Sequence, residues 1–372
     1  MHVAVLAPIA WRVPPRHYGG WELAVWSLVE GLARRGVEVT LFATADSSTS
    51  ARLISVCPRP LAEDPSLAPL GKAYELLHAA ACFERAEEFD VIHNHAGSYW
   101  VCFSRLVPTP VITTLHGSAA EPWSRLVYSH YREEPYISVT DAERLLAPEL
   151  NYIATIHHGV EVEEFPFGER PGDYLLFVGR IARVKGVHLA IEVAKRTGMP
   201  LVLAGIVPPE EEEYFRTVVS PHIDGERVRF IGPVEHPQRN QLYAGAYAFL
   251  HLIQYHEAFG LTMIEAMACG TPVIAMGMGS VPEIVAHDRT GFIVHDVQEA
   301  VEAVGRIPRI SRDACRTWVA QRFHARRMVD QHIEVYERIR PRRRGLQAQR
   351  KGSEEVMHDA PTFAGLLRER PR

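Results

Sequence analysis

Two glutamates stand eight residues apart in the run Glu257-Ala258-Phe259-Gly260-Leu261-Thr262-Met263-Ile264-Glu265. The apolar pattern predicts a strand over 248–253 and a helix over 261–269, so Gly260 opens a helix soon after a strand end. The backbone N–H groups of Phe259, Gly260 and Leu261 then make an anion site, helped by a helix dipole worth roughly 0.3–2 kcal/mol. Glu257 in the loop and Glu265 one turn inside the helix can accept hydroxyl hydrogen bonds beside and above that anion. Spacing alone leaves open that Glu257 is a solvated loop residue and Glu265 a capping or ion-pairing one. Against that stands the setting of Glu265 among Met263, Ile264, Ala266, Met267 and Ala268, where a carboxylate is costly unless a partner satisfies it.

The elements that must position these residues come in two sets. The chain has 372 residues, 40 basic and 45 acidic, with a formal charge of −5; 47% are hydrophobic and 23% charged. That composition excludes a disordered chain or a fibre, the slight acidity argues against nucleic acid as a partner, and the length favours two domains. Strands are predicted over 2–6, 37–42, 91–93, 111–115, 136–139 and 152–156, with a helix from about Gly20 to Gly36. They form a first α/β domain over residues 1–158. A connector rich in proline, glycine and acid leads to a second α/β domain over residues 159–315. Its strands are expected at 174–178, 201–204, 228–231, 248–253, 273–275 and 292–294, and its helices near 186–196, 209–219, 236–246, 261–269 and 297–306. A last helical stretch spans about 311–340. From residue 341 a tail containing Arg342-Arg343-Arg344 reads as disordered and solvated, with peripheral contact to an anionic membrane left open.

Five cysteines without a Cys-x-x-Cys pair argue against a disulfide framework or a zinc knuckle. No secretion signal precedes the first strand, and the uncharged stretch 266–282 is broken by glycines and prolines, so a cytoplasmic protein without a membrane span is expected. Ligands of parallel sheets sit outside the carboxyl ends of the strands, which places a site in the cleft between the domains.

The run 257–270 followed by Thr271-Pro272-Val273-Ile274-Ala275 resembles the E-x7-E region of the retaining family 4 glycosyltransferases. Tyr18-Gly19-Gly20-Trp21-Glu22, Thr114-Leu115-His116-Gly117, His158-Gly159-Val160 and Val178-Gly179-Arg180 with Lys185-Gly186 agree, in family order. Ser280-Val281-Pro282-Glu283-Ile284-Val285 and Thr290-Gly291-Phe292-Ile293-Val294 complete the pattern. The resemblance implies the GT-B fold: two Rossmann-like domains facing across a cleft, with a C-terminal helix, about 316–340, crossing back to the first and a hinge near residue 315.

It also implies a nucleotide-diphosphate-sugar donor, a UDP-sugar favoured, and a hydroxyl acceptor that is a saccharide, a lipid-linked molecule or a small molecule. Arg180 and Lys185 would meet the charge on the leaving diphosphate, with Gly179 beside them, and Gly19 and Gly20 would let the backbone come close to it. Glu265 would bind the ribose hydroxyls, and Glu257 would face the transferred sugar with the amides of Phe259, Gly260 and Leu261 beside it. Gly232 and Val234, in the loop after a strand, would lie along the base, and His116 near sugar and acceptor. The implied mechanism is retaining: the acceptor hydroxyl attacks on the face the diphosphate leaves, a phosphate oxygen takes its proton, and no side chain is a covalent nucleophile. No Asp-x-Asp occurs, so neither a cofactor nor a divalent metal is expected. A sugar-nucleotide epimerase, a disaccharide phosphorylase and a non-catalytic sugar-nucleotide-binding protein are the alternatives on related folds. Arg183 departs from the family segment before Lys185, and Glu283 is open between a site role and capping its own helix. Gly277-x-Gly279-x-x-Pro282 lacks the third glycine of a dinucleotide fingerprint, and His93-Asn94-His95 has no companion ligands for a metal.

Overall fold

The computed structural model describes residues 1–340 apart from Tyr18, Ser118 and Ala120; the tail expected from residue 341 lies outside the described residues, as does the first residue of the Tyr18 motif. Short apolar runs buried on both faces make two all-parallel sheets, as expected where helices cover both sides. The first contains β1 (His2–Leu6), β2 (Glu38–Phe42), β3 (Arg52–Ile54), β4 (Val91–Asn94), β5 (Val111–Leu115), β6 (Tyr136–Ser138) and β7 (Tyr152–Thr155), in the order β3-β2-β1-β4-β5-β6-β7. The second contains β8 (Leu175–Val178), β9 (Leu201–Ala204), β10 (Val228–Gly232), β11 (Ala248–His251), β12 (Val273–Met276) and β13 (Gly291–Val294), in the order β10-β9-β8-β11-β12-β13. Chain order reverses at β1/β4 in one sheet and β8/β11 in the other, and such switch points open a crevice at the strand ends.

The helix Ala325–Ile339 returns to the first domain. Its Met328, Val329, Val335 and Tyr336 are buried in one cluster with Val25, Leu28, Val29 and Leu32 of the helix Gly20–Arg34. The crossing falls at 323–325, later than the expected hinge near 315. Ser311 caps a separate helix, Arg312–Arg322, whose Cys315 and Val319 are buried in the second domain and whose Arg316 donates to the carbonyls of Phe165 and Ala268. The chain leaves that domain only where Val160 pairs with His324. The helix expected over 209–219 is broken into single turns, Pro209–Glu211, Glu212–Tyr214 and the wider-wound Phe215–Val219.

Candidate active site

The strand ends at the two switch points bound a cavity of about 700 Å³. After β1 and β5 come Trp11, Gly19, Gly20, Trp21, Glu22 and His116; after β8 and β11 come Gly179, Arg180, Lys185, Glu257, Phe259, Gly260 and Leu261. A narrower pocket of about 100 Å³ adjoins it, sharing Gly19, Gly20, Gly179 and Leu261 and adding Pro233, Val234, Arg239 and Glu265. Gly232 lines neither. It is the last residue of β10 rather than a loop residue, its carbonyl accepts from Gly205 N at 2.8 Å, and its φ of 72° turns the chain so that Pro233 and Val234 reach the pocket.

Lys185 and Glu257 meet directly. Lys185 Nζ donates to Glu257 Oε2 at 2.8 Å and to the hydroxyl of Tyr255, which donates to the same carboxylate. Burial pushes the Glu257 carboxyl up, but the Lys185 ammonium and these hydrogen bonds outweigh it and hold the group below the usual carboxylate range. Burial pushes His251, 3.8 Å from Glu257, down to about 4, so it is neutral at pH 7. Two glycines make this meeting possible. A Cβ on Gly186, at φ 72°, would lie 1.8 Å from the carbonyl oxygen of Leu252, so only glycine lets the helix Val187–Thr197 begin beside Lys185. A Cβ on Gly279, at φ 58°, would lie 2.3 Å from the Glu257 carbonyl oxygen. The next residue clamps the same loop: Ser280 N donates to that carbonyl at 3.0 Å and Ser280 Oγ to the Phe259 carbonyl at 2.7 Å. Arg183 is turned away, 4.8 Å over the ring of Tyr214.

Glu265 is 1% exposed and has its partners. Arg239 Nη2 donates to one oxygen at 2.7 Å and the Tyr243 hydroxyl to the other at 3.1 Å. Burial, then the Glu265 charge, raises Tyr243 well above its ordinary value, so it stays a donor. Both partners come from one face of the helix His236–Gly245, four residues apart, and neither was singled out from the sequence.

His116 stands at the end of β5 inside a group of buried histidines. Its Nε2 lies 2.9 Å from His95 Nδ1, its carbonyl accepts from Trp21 Nε1 at 3.0 Å, and its ring stacks on His158. Burial holds His93, His95, His116 and His158 well below the usual histidine range, so all four are neutral imidazoles. His93, hydrogen-bonded at both ring nitrogens to Tyr336 and Thr114, and Asn94, which donates to the Gly97 carbonyl and Thr113 Oγ1, are engaged in packing and hydrogen bonding. Among the described residues, the group spaced to hold a metal is Glu161, Glu163 and His324, at the helix crossing and on neither cavity. Tyr255 and His251 were not singled out from the sequence either, and Glu22, quoted there within its motif but given no role, is 3% exposed on the cavity wall and pushed up to about 7 by burial. No described helix is long and apolar enough to cross a membrane.

Comparison with known proteins gives a consistent picture. The family model described as Glycosyltransferase Family 4 matches residues 18–164 and the one described as Glycosyl transferases group 1 matches residues 163–325. A curated relative, the D-inositol 3-phosphate glycosyltransferase of Mycolicibacterium smegmatis, is 28% identical over 342 residues, 78% of each chain. Sucrose-phosphate synthase from Thermosynechococcus elongatus superposes with a TM-score of 0.73 at 23% identity, over 91% of this chain and 98% of its own. Anabaena HepE, solved in complex with UDP and glucose, superposes with a TM-score of 0.72 at 18% identity, over 91% of this chain and 100% of its own. At these identities the solved structures speak for the fold.

Proposed function

This chain belongs to the family 4 glycosyltransferases of the GT-B fold, and from that premise we propose that it moves a sugar from a UDP-sugar to a hydroxyl acceptor with retention of configuration and without a metal. The observation that carries the reading is the junction of the two cavities. The narrow pocket ends at the buried Glu265, suited to ribose hydroxyls, and the wide one holds Arg180, Lys185, Glu257 and His116. A donor laid across them puts its nucleoside in the first, its diphosphate at the shared Gly19, Gly20 and Gly179, and its sugar between Glu257 and His116.

Bond breaking leaves negative charge on the diphosphate, and Arg180 and Lys185 are the cations of the cavity wall that meet it. Two of the three Lys185 N–H donors go to Tyr255 and Glu257, leaving a third for a phosphate oxygen. Glu257 Oε2 already accepts from Lys185 and Tyr255, an arrangement suited to orienting sugar hydroxyls and unsuited to a covalent nucleophile. The acceptor hydroxyl then attacks on the diphosphate side and a phosphate oxygen receives its proton. With cations supplied by side chains and no Asp-x-Asp in the chain, the reading calls for no divalent ion. UDP is favoured because HepE was solved with it, and five free cysteines favour the cytoplasm.

The test is a thermal-shift series with UDP, GDP and ADP in chelator, with Glu265→Ala as control. A nucleotide at 100 times its Kd adds about 2.7 kcal/mol. Stabilisation by UDP that the variant loses is expected; stabilisation by GDP or ADP instead would replace the donor, and turnover restored only by magnesium would overturn the metal-free reading.

A further inference from the structure

One buried carboxylate beside the cleft has no part in the reaction as described. Glu143 is 0% exposed, lies in the short helix Asp141–Arg144 after β6, and lines neither cavity. Its spacing from Thr140 is that of a capping box, and Thr140 Oγ1 accepts from Glu143 N at 3.2 Å. The carboxylate itself spans further. Oε2 accepts from Val139 N at 3.0 Å, and Oε1 reaches the loop after β5, where Gly117 N donates at 2.5 Å. Two backbone N–H groups that meet one side chain need an acceptor at each of its oxygens; a carboxylate supplies both, whereas an amide would turn its NH2 against one of them. A carboxylate in the interior is costly unless it is satisfied in this way. Glu143 therefore ties together two loops just beyond the last paired residues of β5 and β6, Leu115 and Ser138.

Both tied loops touch the second domain at one residue. Thr140 Oγ1 donates to the Ala258 carbonyl at 2.8 Å, and a Cβ on Gly117, at φ 100°, would lie 3.1 Å from that of Ala258. Val139, 1% exposed, is buried in the core cluster of the second domain. Ala258 directly follows Glu257, and Gly117 directly follows His116; all four line the wide cavity. We infer that Glu143 is a positioning residue: by joining the Gly117 loop to the Val139–Thr140 loop it builds a socket in the first domain that seats Ala258 and so sets the spacing of Glu257 from His116. Its effect on turnover rests on the glycosyl-transfer reading; the clamp and the seat do not.

Amide hydrogen exchange on the full chain reads the clamp. The Gly117 N–H is expected to exchange at least about 100-fold slower than in an unstructured peptide and to lose most of that protection in Glu143→Ala; free exchange in the wild type, or unchanged protection in the variant, would overturn it. The seat is read by small-angle scattering: Glu143→Gln is expected to have a larger radius of gyration than wild type, and an equal one would remove the seat. With UDP-glucose hydrolysis as the rate assay, Glu143→Gln and Ala258→Val, which crowds Gly117, are each expected to lower kcat about tenfold with KM within about twofold. Both unseat one loop, so the double variant should also lose about tenfold rather than 100-fold. Losses that multiply would reduce Glu143 to a support of the first domain and overturn the positioning role. Should the Glu143 variants fail to fold, Thr140→Ser, which keeps the donor to Ala258, is compared with Thr140→Val, which lacks it; equal kcat in the two would overturn the seat. Should the wild type neither hydrolyse UDP-glucose nor be stabilised by a nucleoside diphosphate, the glycosyl-transfer reading fails, while exchange and scattering still decide the clamp and the seat.

Discussion

Glu283 in the second domain accepts a hydrogen bond from the backbone N–H of Ala142 in the first, at 2.7 Å. Its other oxygen takes the Asp141 N–H at 3.0 Å and faces His157 Nε2 at 3.1 Å, so the residue caps a helix of the opposite domain rather than its own. Nearby, Thr140 Oγ1 donates to the Ala258 carbonyl at 2.8 Å. The capped turn carries Glu143, which accepts from Gly117 N at 2.5 Å, directly after His116. Three residues before Glu283, Ser280 holds the Glu257 backbone. The contacts that join the domains thus continue into the loops that carry His116 on one side and Glu257 on the other.

Removing Glu283 should open the cleft. Hydrogen bonds to a charged group are worth about 1.5–3 kcal/mol, less here because the carboxylate is partly exposed. Glu283→Ala is therefore expected to raise the radius of gyration in small-angle scattering and to cut kcat about tenfold, with Glu283→Gln in between; unchanged scattering would refute the latch. Burial pushes this carboxyl up, but His157 and the two amides outweigh it, so its folded pKa lies below the ordinary 4.5. A depressed carboxylate contributes fully above its unfolded pKa, so the latch should hold at neutral pH and weaken as pH falls below 4.5 and through the lower folded pKa.

The Lys185–Glu257 pair should show stability and catalysis moving apart. Lys185→Met leaves a mostly buried carboxylate without its cation, a loss on the order of 3 kcal/mol, and turnover should fall at least about 100-fold. Adding Glu257→Gln removes the stranded charge, so melting temperature should recover while initial rates stay low. Recovery of both would mean that the pair is structural only.

Glu22 predicts a pH dependence of opposite sign to Glu283. Its carboxyl is pushed up from 4.5 to about 7 by burial, with only partial relief from the amides of Glu22 and Trp11. The folded chain keeps a proton that the unfolded chain has released, so its contribution is complete below pH 4.5 and is lost as pH rises through 7. The rise from 4.5 to about 7 corresponds to about 3 kcal/mol. Urea midpoints of wild type relative to Glu22→Gln should therefore fall between pH 5 and pH 8; parallel midpoints would place the Glu22 pKa near 4.5.

Legibility from sequence followed the range of the physics involved. The two sheets and the cleft were readable because apolar strands and 3.6-residue helices leave local patterns. Glu257 and Glu265 were readable by their eight-residue spacing about Gly260, and Arg180 and Lys185 only through the family resemblance, flanked by Gly179 and Gly186. Partners from distant segments were not: Glu265 needs Arg239 and Tyr243 from another helix, and an arginine and a tyrosine on a helix face look alike whether they meet a carboxylate or water. His95 was visible as part of His93-Asn94-His95, but only the pairing of β4 with β5 brings it against His116. The edge strand β3, three residues long, is too short for period-2 alternation to show.

The helix crossing offers a test of how far packing reaches into the site. A Cβ on Gly31 would lie 2.3 Å from Val329 Cγ2, so the helix Gly20–Arg34 approaches Ala325–Ile339 more closely than alanine allows. Overpacking of this kind costs about 1–3 kcal/mol, from which the better helix propensity of alanine returns about 1. Gly31→Ala should lower the melting temperature, and Val329→Ala added to it should restore most of the loss by vacating the overlapping volume. The same helix begins at Gly20, on the wall of both cavities, so a push at Gly31 is carried to that turn through the helix backbone. UDP affinity should therefore weaken in Gly31→Ala and return in the double variant. If melting temperature recovers and affinity does not, Gly31 sets the position of the Gly20 turn by its own backbone rather than through the crossing helix.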